Sequence, residues 1–223
     1  MVADFPNLPR SQEAFTLFSA ARVGGISLGG TQQVVANPAS LWRARLGLRL
    51  RRVDHFLSLR GFLAGVDGQA GAFTVGPIDW RGQPWYRDPN FGTVMTPGMA
   101  RRNGTAPDLD FTLDQGCEIN AVTLYIRRGK GGALQVGQYL QLGDRLHTIT
   151  ALLSPDPPDV VGGAAPGTVG VTVRPWTKAA FGAGTPVEFA APKSIMRLSD
   201  ATPPDVEMTT TPVGDVTLNL VEA

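Results

Sequence analysis

The chain has 223 residues, a formal net charge of +1, 43% hydrophobic residues and only 17% charged ones, against roughly 25% charged in an average soluble protein. That length allows one elaborate domain or two small ones, and the near-zero charge excludes an overall field that draws nucleic acid or membrane. A single cysteine, Cys117, excludes an intrachain disulfide framework, while 27 glycines and 18 prolines favour many short strands over long helices.

Low charge with ordinary hydrophobicity points to a surface covered by something, such as identical subunits. No apolar run approaches the roughly 20 residues of a membrane span. The opening Met-Val-Ala-Asp-Phe-Pro lacks the basic start and apolar stretch of a signal peptide. The expectation is a soluble protein assembled in the cytoplasm, with no membrane partner.

In chain order, the polar first 14 residues with their two prolines read as an arm, and residues 15–28 as a weak strand region broken at Gly24-Gly25. The most informative run follows, Trp42-Arg43-Ala44-Arg45-Leu46-Gly47-Leu48-Arg49-Leu50-Arg51. Side chains alternate faces along a strand, so Trp42, Ala44, Leu46, Leu48 and Leu50 form a dry face and Arg43, Arg45, Arg49 and Arg51 a cationic one. Neighbouring arginines would stand roughly 7 Å apart. Such a face is either a solvated exterior with scattered salt bridges, or a surface turned to a subunit neighbour or an anionic polymer.

Residues 52–66 change period: Val53, Phe56, Leu57, Leu59, Leu63 and Val66 form a broad helical stripe, with Gly68 as the stop. Ala72 to Val75 is a short strand ended by Gly76-Pro77. Residues 77–110 are dense in turn signals and form a long loop excursion, of a kind that is usually functional. Trp80, Trp85, Tyr86 and Phe91 lie in it; they either fold back on their own domain or contact a partner.

Residues 111–192 read as a small β unit. It has a strand from Asn120 to Ile126, a hairpin of Tyr139–Leu142 and Leu146–Ile149 around Gly143-Asp144-Arg145, a strand Val169–Val173, and a loop over Ala179–Pro186. Ser194–Leu198 and Asp215–Glu222 are closing strands; the second alternates Val216, Leu218 and Leu220 with Asp215, Thr217 and Asn219. The simplest topology returns it to the sheet of residues 1–76. Residues 1–76 with 193–223 then form one β-sandwich domain with helix 52–66, and the middle unit is an insertion.

No catalytic, cofactor or metal constellation survives inspection. His55 and His147 lack a second histidine at ligand spacing and read as surface or structural side chains. Cys117 reads as a small buried hydrophobe, not a nucleophile. Asp108 and Asp110 read as a polar loop end. Arg127-Arg128-Gly129-Lys130-Gly131-Gly132 reads as a basic glycine turn without the order of residues that cradles nucleotide phosphates. The expectation is a protein that is not an enzyme and takes no cofactor.

Four stretches resemble a family of tail proteins from long-tailed bacteriophages, prophages and gene transfer agents, the distal tail protein group. They are Leu41 to Leu50; Val53 to Gly76 with its Gly68-Gln69-Ala70-Gly71-Ala72-Phe73-Thr74-Val75-Gly76-Pro77 ending; Val136-Gly137-Gln138-Tyr139-Leu140-Gln141-Leu142-Gly143-Asp144; and Lys193 to Asp200 with the closing Asn219-Leu220-Val221-Glu222. Together they span about half the chain, while the stretch from Trp80 to Pro107 is longer and more aromatic than the family pattern.

The resemblance implies a mainly β fold: a tail-tube-like β-sandwich with one helix and an inserted small β-barrel or sandwich. It implies a structural virion protein at the tail tip, forming a hexameric ring that joins the tail tube protein to the tail-tip hub and receptor-binding proteins, with DNA passing through the lumen without specific binding. Lumen arginines would bind passing DNA too well, so Arg43, Arg45, Arg49 and Arg51 are expected at a subunit interface, and the aromatic loop residues at a partner contact. The competing readings are another minor tail, tube or terminator protein, a carbohydrate-binding β module, and a tail-tip lytic enzyme.

Overall fold

The computed structural model describes the chain outside residues 1, 20, 27–28, 31, 36–38, 79–82, 85, 88–93, 96–108, 154–166 and 201–213. The fold is mainly β with one helix, as expected, and divides into two compact units. The first comprises residues 1–77 and 194–223, and the second residues 78–193.

The first unit contains β1 (Ala3–Asp4), β2 (Arg10–Phe18), β3 (Arg22–Ile26), β4 (Gln32–Val35), β5 (Leu41–Leu50), helix α1 (Val53–Val66) and β6 (Phe73–Val75). The second contains β7 (Tyr86–Arg87), β8 (Val94–Met95), β9 (Asp110–Leu113), β10 (Thr123–Lys130), β11 (Tyr139–Leu142), β12 (Arg145–Leu152), β13 (Gly167–Arg174) and β14 (Val187–Glu188). The chain then returns to the first unit as β15 (Ser194–Leu198) and β16 (Gly214–Glu222).

In the first unit six strands form one sheet in the order β1-β6-β15-β16-β5-β2. Strand β5 is held on both sides: β16 pairs with it from Gly214↔Leu50 to Val221↔Arg43, and β2 from Arg10↔Leu48 to Phe18↔Leu41. This differs from the arm expected over residues 1–14. Arg10 already belongs to an edge strand, because Glu13, Phe15 and Leu17 are half-buried on the core side and β5 supplies the ladder. Strands β3 and β4 pair antiparallel, Arg22↔Val35 and Val23↔Val34, as a separate two-stranded sheet.

The core face of this sheet is built by alternation. Trp42, Ala44, Leu46, Leu48 and Leu50 of β5 are buried, as are Val216, Leu218 and Leu220 of β16, each large apolar side chain contributing about 1.5–3 kcal/mol. Helix α1 buries Phe56, Leu59, Leu63 and Val66, and its Phe62 stands edge-on to Phe73 of β6 with centroids 5.0 Å apart. Phe5 joins the same cluster, 5.2 Å from Phe62. The helix ends on Asp67 in the left-handed conformation, φ 55°, followed by Gly68 at φ 62°. Gly71 is demanded by close approach, since a Cβ there would stand 1.6 Å from the Val66 carbonyl oxygen.

The second unit is a nearly closed barrel of six strands in the order β14-β11-β12-β13-β10-β9. Its two ends meet where Thr112 bridges Pro186, the Leu113 N–H donates to the Thr185 carbonyl at 2.9 Å and the Gly184 N–H to that of Leu113 at 2.7 Å. Closure satisfies the ladder that an open edge leaves unpaired. Leu113, Leu124, Ile126, Leu140, Leu142, Ile149, Val171 and Val173 form its core, with Phe111 and Phe189 rings 4.7 Å apart. The hairpin expected at Gly143-Asp144 is present, joining β11 to β12.

The basic stretch at residues 127–132 is not a turn: β10 runs through it to Lys130, and Arg128 is buried. The ladder to β9 overrides the local glycine signal, and Asp110 packs so close to Gly129 that a Cβ there would meet its Oδ2 at 2.3 Å. The excursion over 77–110 holds a two-stranded ribbon, Tyr86↔Met95 and Arg87↔Val94.

Leu46, fully buried on the central strand, sets a stability test. Leu46→Ala is expected to cost about 2–5 kcal/mol through lost burial and a residual cavity. Leu57→Ala, on the exposed side of α1, should stay within about 0.5 kcal/mol of the parent. Urea unfolding followed by circular dichroism measures both; equal costs would place Leu57 in a covered face.

Candidate functional site: the arginine face of the first unit

The face of the sheet opposite the core is set by the same alternation. Arg43, Arg45, Arg49 and Arg51 are all exposed, as their spacing requires. The register adds neighbours that local sequence does not reveal. One row across the sheet reads Arg197, Val221, Arg43, Thr16; the next Asn219, Arg45, Ala14; the next Thr217, Gly47, Gln12; the last Asp215, Arg49. Arg197 is thereby a further cation of this face. Its only signal in the sequence is its position between Met196 and Leu198, which are both buried.

Few anions answer these charges. Arg49 Nε lies 3.3 Å from Asp215 Oδ1, with both side chains exposed, so the pair adds little net stability. The Arg43 guanidinium lies over the Phe18 ring, 4.1 Å from its centroid, a contact worth about 0.5–1 kcal/mol at an exposed site. Arg45 and Arg51 have no ion pair among the described residues. The first unit contains no lysine; the three lysines, Lys130, Lys178 and Lys193, belong to the second.

Magnitudes decide what can cover such a face. Two like charges about 7 Å apart repel by about 0.6 kcal/mol in water, but by about 2.4 kcal/mol at an effective dielectric of about 20. In water the row is tolerable. Covered by an apolar partner, each neighbouring pair would cost several times more. The face therefore accepts a partner that brings carboxylates or phosphates and rejects one that does not.

Gly47 divides the row. Ser11, the extra residue of a bulge in β2, leans over it: its hydroxyl donates to the Gly47 carbonyl at 3.2 Å, and a Cβ on Gly47 would stand 3.1 Å from the Ser11 Oγ. Two hollows result. A shallow one of about 690 Å³ is lined by Arg43, Arg45, Thr16, Asn219 and Val221. A second of about 740 Å³ is lined by Arg49, Arg51, Arg52, His55 and Asp215. The sequence reading did not join Arg52, the residue before α1, and His55, in the first turn of α1, to the arginine row, because only the turn after β5 brings them beside the strand.

The other sequence candidates fall elsewhere. Trp80, Trp85, Phe91 and Asp108 lie outside the described residues, and Tyr86 is on β7. His147 is buried in the second unit, with its Nδ1 2.8 Å from the Pro175 carbonyl oxygen. Asp110 begins β9. Among the described residues no cluster of His, Cys, Asp and Glu is placed to hold a metal, and no helix is long and apolar enough to cross a membrane.

Cys117 packs partly against the barrel core and bridges Phe181, its N–H donating to the Phe181 carbonyl at 2.9 Å. Burial pushes its thiol above the ordinary range, a backbone hydrogen bond with Phe181 offsets part of this, and the Glu118 carboxylate raises it further.

No family model matches the chain, and no curated protein matches it. What the chain presents is a mainly β architecture in which a discontinuous sheet unit carries a cationic outer face and an intervening barrel is nearly closed.

The raised thiol pKa gives a pH test. The thiolate is the nucleophile, so alkylation of Cys117 by iodoacetamide at neutral pH should be several-fold slower than that of free cysteine. The deficit should shrink only as pH rises through the raised value. Reaction as fast as free cysteine at neutral pH, followed by mass spectrometry, would mark an activated thiol instead.

Proposed function

We propose that the protein is a structural component of a phage-type tail tip, of the distal tail protein kind, in which copies of the first unit assemble into a ring, of six by analogy with that group. The observation that carries this reading is the arginine face: a regular, solvent-facing sheet surface whose charges are largely unanswered among the described residues and which an anion-bearing partner is suited to cover. In the ring, Arg43, Arg45, Arg49 and Arg51 meet carboxylates of the adjoining protomer. The edge at β2, with no strand beside it among the described residues, supports the same reading, since unpaired edges invite pairing with another chain.

The ring joins a tail tube protein on one side to a hub protein and receptor-binding proteins on the other. DNA passes through its lumen without specific contacts. The protein is a non-enzymatic virion component located at the tail tip. The inserted, nearly closed barrel is the part suited to project toward other tip components, and residues 77–110 with Trp80, Trp85, Tyr86 and Phe91 make the partner-contact loop.

Charge reversal tests the reading. Arg45→Glu with Arg49→Glu should leave circular dichroism unchanged, because both side chains are exposed, and should abolish the ring. Sedimentation velocity on parent and variant checks both. A parent that stays a monomer at all concentrations, or a variant that assembles like the parent, removes the proposed role of the face.

A further inference from the structure

The outer face of the barrel, over β9, β10 and β13, gathers groups that the proposed ring does not use. The ladders fix one row across it. Asp114, just after β9, donates its N–H to the Tyr125 carbonyl at 2.8 Å; Tyr125 of β10 stands opposite Gly170 of β13; and the Leu153 N–H donates to the Gly170 carbonyl at 2.8 Å. The row on one side reads Thr112, Arg127, Thr168, and the row on the other Thr123, Thr172, Ala151. Alternation turns these positions outward, because the residues between them, Leu124, Ile126, Val169 and Val171, fill the core. Tyr125 and Leu153 are large apolar side chains left 39% and 56% exposed. Gly170 between them carries no side chain, and Leu153 lies over it: a Cβ there would stand 3.0 Å from the Leu153 Cδ1. The result is a small, flat apolar platform mounted on strands. Its rim is polar and uncommitted, since among the described residues the side chains of Asp114, Arg127 and Thr168 have neither an ion pair nor a hydrogen bond. A strand spacing of about 4.8 Å and a two-residue step of about 7 Å set Asp114 and Arg127 on adjacent sides of Tyr125.

We propose that this face binds a neutral oligosaccharide. One pyranose ring lies with its C–H face on the Tyr125 ring and Leu153, its hydroxyls donate to the Asp114 carboxylate and accept from the Arg127 guanidinium, and the threonine hydroxyls of the flanking rows do either. The rim holds one carboxylate and one guanidinium, which cancel, so the face offers acceptors and donors without the excess of cations that an anionic sugar or a nucleic acid requires. A protein partner is disfavoured by size. Two exposed apolar side chains fall well short of the roughly 800 Å² that each partner of a stable interface buries, and a hydroxyl-rich rim supplies no larger apolar centre. The site uses none of the residues assigned to the ring and does not depend on it.

Saturation-transfer difference NMR on the full chain tests the site, with maltotetraose, cellotetraose, chitotetraose and mannotetraose as probes. At least one is expected to bind with a dissociation constant of about 1 mM, its ring C–H protons receiving the saturation. Tyr125→Ala should weaken that sugar about tenfold, equivalent to about 1.4 kcal/mol. Tyr125→Phe keeps the ring and should stay within about twofold of the parent. Asp114→Asn with Arg127→Gln removes the charged hydrogen bonds and should also weaken binding about tenfold. These side chains face outward, so the variants should melt with the parent; if Tyr125→Ala does not, the paired variant carries the test.

The proposal fails if no probe binds at about 10 mM, tenfold above the expected constant, or if folded Tyr125→Ala binds like the parent. It also fails if Tyr125→Phe loses as much as Tyr125→Ala, since stacking would then carry nothing. Tighter binding of tetragalacturonate than of every neutral probe would assign the face to anionic sugars instead, and loss of self-association in Tyr125→Ala would assign it to copies of this chain. A ring that ignores every sugar overturns this site alone; a lasting monomer that binds one overturns the ring alone.

Discussion

The antiparallel ladder between β16 and β5 is the constraint on which the first unit depends. It brings residues 214–221 against residues 43–50 across the whole second unit. Side chains alternate with a period of two, so a slip of one residue would turn Val216, Leu218 and Leu220 outward and bury Asp215, Thr217 and Asn219. The same ladder sets which groups meet on the outer face, including Asp215 with Arg49 and Asn219 with Arg45. At its far end the Trp42 N–H donates to the Glu222 carboxylate at 3.0 Å, a charge-assisted bond that ties the last residues of the chain to the start of the central strand.

The two units solve the problem of strand edges in opposite ways. The barrel nearly closes, the β9 end meeting the chain before β14 through the Thr112–Pro186 bridge and the Leu113 hydrogen bonds. The sheet of the first unit stops at β2, whose outer edge has no strand beside it among the described residues. An open edge and a cationic face on the same unit are the features on which the proposed assembly rests.

Electrostatics gives the outer face its selectivity. The arginines repel one another weakly while water surrounds them and strongly once a partner excludes it, so the identity of the partner is constrained more tightly than its affinity. The division at Gly47 matters for the same reason. Ser11 fills the place where a fifth arginine would stand, and the cations on either side address separate hollows, one bounded by strands alone and the other by a helix end.

Much of this architecture was legible from local chemistry. The alternation over 42–51, the helix over 53–66, the Gly143-Asp144 hairpin and the closing strand are each decided by period and turn residues, although Val53 and Leu57 of the expected stripe are exposed, and the exposure of Arg43, Arg45, Arg49 and Arg51 follows from period alone. The assignments that failed lay where a ladder overrode local signals: Arg10 to Ala14 joined a sheet despite a polar composition, and Arg128 was buried in a strand despite the glycines beside it. By itself, the sequence determined which faces are dry and which are charged, because that depends on spacing along one segment. Only the tertiary structure decided which charges share a face, that Arg197 joins the row, and that Arg52 and His55 complete a groove with Arg49 and Asp215, because those neighbours are set by strand register and chain return over distances that no local pattern encodes.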